Sequence, residues 1–308
     1  MTYSISDINE ALEKDEAGFI ERCDRDYAEK IAHAADAVAE NMKRSRIVLL
    51  AGPSGSGKTT TAIKLGEELS KRGLSAKSIS MDYYFKNMDE NYPRTADGDY
   101  DFESPNCVDT DTLFDHFDKI GRGEPIRIPR YDFENGVRSD VYEDYTVSKN
   151  EVVIFEGLHA LNDYISGRDE NALKLYVGVG STVEGDGGDM TPDLIRLVRR
   201  TVRDSKFRGV EAGYTLYLWK NVMDGERKNI APYRHLADIE IDTFIPYELS
   251  VLKSTVVPLY EDIFEEATFG YERFAVLKAL KDSCDTEEAA VPGNSLVREF
   301  IGDSVYSY

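Results

Sequence analysis

The segment Gly52-Pro-Ser-Gly-Ser-Gly57-Lys58-Thr59 has the residue types and spacing of a phosphate cradle. Its glycines let the main chain curl until N–H groups point inward at phosphate oxygens. A helix starting near Lys58 aims its positive end at the same place. Lys58 is then placed to reach the β- and γ-phosphates, and the Thr59 hydroxyl to ligate Mg²⁺. The ATP-binding candidates are therefore Gly52, Ser54, Gly55, Ser56, Gly57, Lys58, Thr59 and Thr60. Chance alone gives this pattern in about one chain in a hundred of this composition, and a strand before the loop with a helix after it lowers the odds further. The loop by itself does not separate a kinase from a GTPase or an ATP-driven switch.

Two carboxylates stand where strands end. Asp82 follows Lys77–Met81, and Glu156 closes Val152–Phe155. Open parallel sheets collect their chemistry at the carboxyl ends of strands. A carboxylate beside a triphosphate can hold Mg²⁺, directly or through water, or take the proton of an attacking hydroxyl. A solvated acid at a strand end is the bland alternative. Between Arg196 and Arg208 lie six cations in thirteen residues of an acidic chain. Arg196, Arg199 or Arg200, and Arg203 recur at helical spacing. Fixed cations of this kind suit the oxygens of a moving phosphoryl group. Pairing with nearby acids is the alternative, and the phosphate loop weighs against it.

The elements that must position these groups follow from periodicity. Ile31, Ala35, Val38 and Met42 predict an amphipathic helix over about 25–42. Buried strands are expected at Arg46–Ala51, Leu74–Met81, Glu151–Glu156, Leu173–Val179 and Ala237–Asp242, with helices over 58–72, Asp109–Ile120, 192–206 and 211–226. Residues 83–108 read as a long functional loop, Ile126–Tyr131 and Val141–Val147 as short strands, and Ser181–Asp189 as a flexible loop. From Pro246 the chain reads mostly as helix. Strands alternating with helices imply a parallel sheet covered on both faces.

The chain has 308 residues, 41% of them hydrophobic and 31% charged, the profile of a soluble globular protein. No apolar run is long enough for a membrane span, and the N-terminus does not read as a secretory signal. Cys23, Cys107 and Cys284 lie far apart, as reduced thiols of a cytoplasmic protein would. The net charge of −21 argues against a broad surface for nucleic acid or anionic lipid. His33, His116, His159 and His235 have no ligand spacing, although His159 stands close to Glu156 in sequence.

Taken together, Gly52–Thr59, Met81–Phe85, Asp101–Pro105, Ile128–Phe133, Phe155–Gly157 and Arg199–Asp204 resemble the uridine kinase and phosphoribulokinase family of P-loop kinases, most closely its uridine kinase side. The resemblance runs from about Ile47 to Asp242. Glu156–Asn162 and Asn294–Gly302 resemble a bacterial uridine-kinase-like branch whose members often carry a preceding TGS domain, and this chain begins after where that domain would lie. The resemblance implies an α/β, three-layer P-loop NTPase fold with a mostly parallel sheet. It would comprise an N-terminal helical segment (1–45), a kinase domain (46–245) whose residues 83–148 form a β-rich substrate lid, and a helical C-terminal extension (246–308).

By position, the resemblance makes Asp82 the catalytic base and, with Thr59 and Glu156, part of the Mg²⁺ site. Lys58 and Arg203 complete the catalytic set, and Arg208 contacts the ATP phosphates. Glu103 and Arg200 would hold the sugar, Phe85, Phe102, Tyr131 and Phe133 would stack the base, and Arg138 joins the substrate-binding residues. Two positions depart from the pattern. Gly136 stands where the family has a base-binding His and leaves room beside the ring, and Val210 stands where it has a base-contacting Arg. The reaction implied is transfer of the γ-phosphoryl of ATP to the 5′-hydroxyl of a nucleoside by a cytoplasmic enzyme with no membrane or nucleic-acid partner. Homo-oligomerisation and GTP as donor are left open. A kinase for another small polyol or sugar phosphate, and a non-enzymatic nucleotide-driven switch, are the alternatives.

Overall fold

The structure is a computed structural model describing residues 1–95, 98–133, 135–263 and 270–307. The helical reading of 264–269 and of residue 308, and residues 96–97 and 134 of the lid segment, lie outside the described residues.

A short strand β1 (Thr2–Ser4) leads directly into the long helix α1 (Ile5–Asn41). The helix begins well before residue 25 because Ile5, Ile8, Leu12, Ile20, Cys23 and Tyr27 extend the same buried stripe. It is interrupted at Asp15, where φ is −161°. The Asp15 carboxylate accepts the N–H of Gly18 at 3.1 Å, so the second part of the helix receives its own N-cap. There follow β2 (Ile47–Ala51), α2 (Lys58–Lys71), β3 (Ser75–Ser80), α3 (Thr110–Arg122), β4 (Ile126–Asp132), β5 (Val137–Tyr145), β6 (Glu151–Gly157) and the single turn α4 (Asp163–Ser166). The chain continues through β7 (Leu173–Gly178), β8 (Thr182–Glu184), α5 (Pro192–Phe207), α6 (Ala212–Asn229), β9 (Ile239–Asp242), α7 (Glu248–Glu261), α8 (Gly270–Leu280) and α9 (Arg298–Ile301).

Five strands pair in parallel in the order β3-β6-β2-β7-β9. Side chains alternate across the sheet. Val48 and Leu50 of β2 enter one apolar cluster with α1, α2 and α5–α8, while Ile47, Leu49 and Ala51 enter another with α3 and β4. Both faces are thus covered, as near-continuous apolar strands require. The chain leaves β2 for β3 on one side and later leaves β6 for β7 on the other. The switch point lies among β6, β2 and β7, and the crevice above their carboxyl ends is where ligands sit in such sheets.

Two expectations are corrected. Residues 181–189 are not wholly a loop: β8 pairs in parallel with β1, Thr2 opposite Thr182, because the N-terminal strand offers it a partner from the far end of the chain. The second lid strand spans Val137–Tyr145 rather than Val141–Val147, since its antiparallel pairing with β4 begins at Asp132 opposite Val137. Among its described residues, the segment 83–108 holds 3₁₀ turns at Met81–Tyr84 and Pro105–Cys107 and isolated bridges from Phe85 to Val108 and from Arg94 to Tyr100.

Leu249, Val256, Tyr260, Leu280, Leu296, Val297 and Phe300 belong to the same apolar cluster as α1 and the sheet.

Candidate active site

The phosphate loop connects β2 to α2 at the switch point. Gly57 is the N-cap of α2 with φ of +81°, a left-handed conformation that favours glycine. Three arginines of α5 brace the loop from behind. Arg196 donates to the Ser54 carbonyl at 3.3 Å, Arg199 to the Gly55 carbonyl at 3.2 Å, and Arg200 to the Ser54 hydroxyl at 3.2 Å. Holding the loop's carbonyls outward turns its N–H groups toward the cleft. Lys58 donates to the Pro53 carbonyl at 3.1 Å, so its ammonium rests on its own loop.

The arginine helix therefore divides its labour. Arg196 is buried and paired with Glu226 (2.7 Å) and Asp193 (2.8 Å). Arg199 is fully buried and paired with Glu248 at 2.7 Å. For these two, pairing with acids is what the structure shows, and their helical spacing reflects burial against α6 and α7. Arg203 and Arg208 instead reach the cleft.

That cleft, of about 200 Å³, is lined by Ser54, Gly55, Ser56, Gly57, Lys58 and Thr59 together with Asp82, Glu103, Glu156, Arg203, Arg208 and Glu299. Asp82 enters from the turn after β3, and Glu156 from the end of β6. Burial raises the Asp82 carboxyl above its ordinary value, with Lys58 and Arg208 opposing. Burial and then the neighbouring Asp82 push Glu156 up to about 7. Burial likewise takes Glu103 up to about 7, and its Oε2 has no hydrogen-bond partner. Arg203 is drawn down to about 10 by burial, and its Nε is without a hydrogen bond. Desolvated acids and a desolvated guanidinium lining one cleft are groups whose charged forms need a ligand.

Glu103 owes its position to a close approach. Its main-chain carbonyl accepts from Asn229 at 2.7 Å, and a Cβ on Gly225 of α6 would lie 2.3 Å from the Glu103 Cβ.

The remaining candidates are distributed differently. Thr60 is fully buried, and its N–H and hydroxyl both donate to Glu299, at 3.3 and 2.6 Å. Phe85, Tyr131 and Phe133 form a triangle of edge contacts, with centroids 5.7, 6.5 and 5.1 Å apart. Phe102 is not part of it. It packs with Tyr92 (5.8 Å) and Tyr100 (6.4 Å), so the expected four-ring wall is two groups. Arg138 is held away from the cleft. It pairs with Asp109, the N-cap of α3, at 2.9 Å, and lines a separate pocket with Lys86, Asn91 and Tyr92. Nor does Gly136 leave room: a Cβ there would lie 2.5 Å from the Met88 sulfur, and its φ of +65° is that of a tight turn.

Sequence reasoning missed two residues. Asp204 organises three arginines, at 3.2 Å from Arg200, 3.8 Å from Arg203 and 3.1 Å from Arg208. Its place one turn from Arg200 and from Arg208, at i−4 and i+4, was the available signal. Glu299 lies too far along the chain for any local pattern to reveal it. His159 is buried with neither ring nitrogen partnered, and burial lowers it to about 4.

Among the described residues no cluster of three or more His, Cys, Asp or Glu side chains is built to hold a metal by itself. Burial raises Asp82, and burial with the neighbouring Asp82 raises Glu156, across the same cleft as Thr59. Two carboxylates and a hydroxyl fit a Mg²⁺ whose other ligands are phosphate oxygens and water. No helix among the described residues is long and apolar enough to cross a membrane.

A parallel sheet with helices on both faces, and a phosphate loop whose cleft gathers acids and arginines, define a P-loop kinase. The Phosphoribulokinase / Uridine kinase family profile matches residues 47–248. The chain belongs to that family. Uridine kinase of Staphylococcus aureus is 31% identical over 202 residues, covering 65% of this chain and 88% of that protein. Among solved structures, a putative fructose transport system kinase from Silicibacter sp. TM1040 has a TM-score of 0.47 at 18% identity, covering 69% of this chain and 97% of that one. D-glycerate 3-kinase from Cryptococcus neoformans has a TM-score of 0.44 at 15% identity, covering 64% and 87%.

Proposed function

We propose that the protein is an ATP-dependent nucleoside kinase that transfers the γ-phosphoryl group to a ribose 5′-hydroxyl. The observation that carries this reading is the convergence of Lys58, Thr59, Asp82, Glu103, Glu156, Arg203 and Arg208 on one cleft. A nucleotide-driven switch needs an acid to hold its Mg²⁺ but has no need of one to take a proton from an alcohol. A phosphotransferase does, because the attacking hydroxyl must lose a proton as the new P–O bond forms.

In this reading the loop amides and Lys58 hold the donor's phosphates. Arg203 and Arg208 face the oxygens of the group in transfer, and Asp204 keeps both guanidinium groups in place. Asp82 accepts the proton of the 5′-hydroxyl. Mg²⁺, held by Thr59, Asp82 and Glu156, would supply charge neutralisation on the phosphate oxygens. Glu103, poised near 7, accepts a hydrogen bond from a ribose hydroxyl.

The acceptor's base would meet Phe85, Tyr131 and Phe133, of which Phe133 is exposed. Met88 fills the side where a polar group at position 136 would stand. A wall of rings and a thioether discriminates among bases by about 10–200-fold at most, whereas hydrogen-bonded readout reaches much larger factors. The sugar end is the stricter one. The test is a comparison of kcat/KM for uridine, cytidine, thymidine, adenosine and guanosine with their 2′-deoxy forms and a set of sugar phosphates. Ribonucleosides of several bases should be turned over, with the 2′-deoxy forms much worse. Turnover of sugar phosphates alone would contradict the reading.

A further inference from the structure

The first turn of α2, where the phosphate loop ends, already holds an anion of the protein's own. Gly57, the N-cap of α2, has no side chain with which to satisfy the first-turn N–H groups. Glu299 does so from the other end of the chain, taking both the N–H and the hydroxyl of Thr60 on its Oε2. Its other oxygen faces Arg203, 3.7 Å away. The carboxylate thus holds two of the contacts a phosphate group would make: a helix N-terminal amide and a cleft arginine. Leu296 fixes the same segment over the loop, its Cδ1 2.8 Å from where a Cβ on Gly57 would be.

Thr60 lies one residue beyond the Mg²⁺-ligating position, on the α/β-phosphate side of such a loop. Beside Asp82, Glu299 also adds its carboxylate to a cleft whose cations, Lys58, Arg203 and Arg208, a polyphosphate would need. That balance opposes the entry of a polyphosphate.

Resting on the nucleotide-binding reading above, we propose that Glu299 is a donor-site residue. It holds the phosphate seat at Thr60 in the ligand-free protein, is displaced when nucleotide binds, and so sets donor affinity. The C-terminal segment around α9 moves with it.

Glu299→Gln keeps the size and an acceptor oxygen but removes the charge, so the cap survives while the competition weakens. ADP affinity, measured by calorimetry on the full chain, should rise about tenfold, the change for one modest charge interaction. A residue that merely caps α2 would give unchanged or weaker binding, and either result would overturn the proposal. Hydrogen exchange on the wild-type chain tests it independently of any variant. Saturating ADP should speed exchange in the peptide spanning residues 295–301. Slower or unchanged exchange would count against displacement. Wild-type binding of ADP with no gain in Glu299→Gln overturns this proposal alone. No ADP binding by the wild type overturns the proposed function with it.

Discussion

At the scale of single residues, the site is a set of charges short of water. Asp82 is the proton acceptor in this account, so Asp82→Asn should lower kcat by about 10²-fold or more, the usual scale of general-base catalysis. Nucleotide affinity should fall less. A kcat within a few-fold of the parent across pH would remove Asp82 from that role. Lys58→Ala should abolish turnover while leaving the melting temperature near that of the parent, since the hydrogen bond its ammonium makes is to the Pro53 carbonyl of its own loop. Glu103 and Glu156 make a prediction about pH. Both titrate near 7 in the folded protein, against an ordinary value of 4.5. Between those values the folded state holds protons that the unfolded chain has released, so the ligand-free protein loses stability as pH rises through that window. Glu103→Gln and Glu156→Gln should each flatten the decline, stabilising the ligand-free protein at pH 8 by on the order of 1–3 kcal/mol. Thermal unfolding from pH 5 to 8 measures this. Equal slopes in parent and variants would show that these carboxyls are not the cause.

At the scale of elements, what the sequence revealed and what it hid have physical reasons. The phosphate loop, Asp82 and Glu156 were legible because strand, loop and helix follow one another locally, and the sheet brings strand ends together by itself. The arginines of α5 were legible as a cluster but not as two teams. Whether Arg199 meets Glu248 or a ligand depends on α7, forty-nine residues away. Gly136 was read as open space because a glycine's neighbours are invisible in sequence. Here Met88 fills that space. Phe102 left the ring wall for the same reason, drawn off by Tyr92 and Tyr100. Gly225 is the element-level counterpart of these surprises, since α6 can approach Glu103 only without a Cβ. Gly225→Ala should push Glu103 out of register and cut kcat/KM for the acceptor by about 10-fold to 100-fold, with ADP affinity unchanged. Parallel losses in both would mean that α6 supports the whole cleft rather than Glu103 alone.

At the scale of the whole molecule, the chain closes on itself. The segment before β2 and the segment after β9 share one apolar cluster with the sheet, and Glu299 carries that closure into the cleft. Phe300 is fully buried beside it, its ring 5.1 Å from the Arg199 guanidinium. Phe300→Ala should cost about 3–5 kcal/mol in denaturant unfolding, the range for losing a buried aromatic ring. A cost below about 1 kcal/mol would mark the tail as an appendage. This placement makes the fold a single device in which the phosphate loop, the acids and arginines of the cleft, and the tail meet at the switch point of one sheet.

The central claim is that this device passes phosphoryl groups from ATP to a nucleoside. ADP release by the full chain, followed with ATP and Mg²⁺ alone and again with each nucleoside added, tests it most directly. The account predicts little release without acceptor and a large, saturable increase with ribonucleosides that vanishes in Asp82→Asn. Release that no nucleoside stimulates would contradict it.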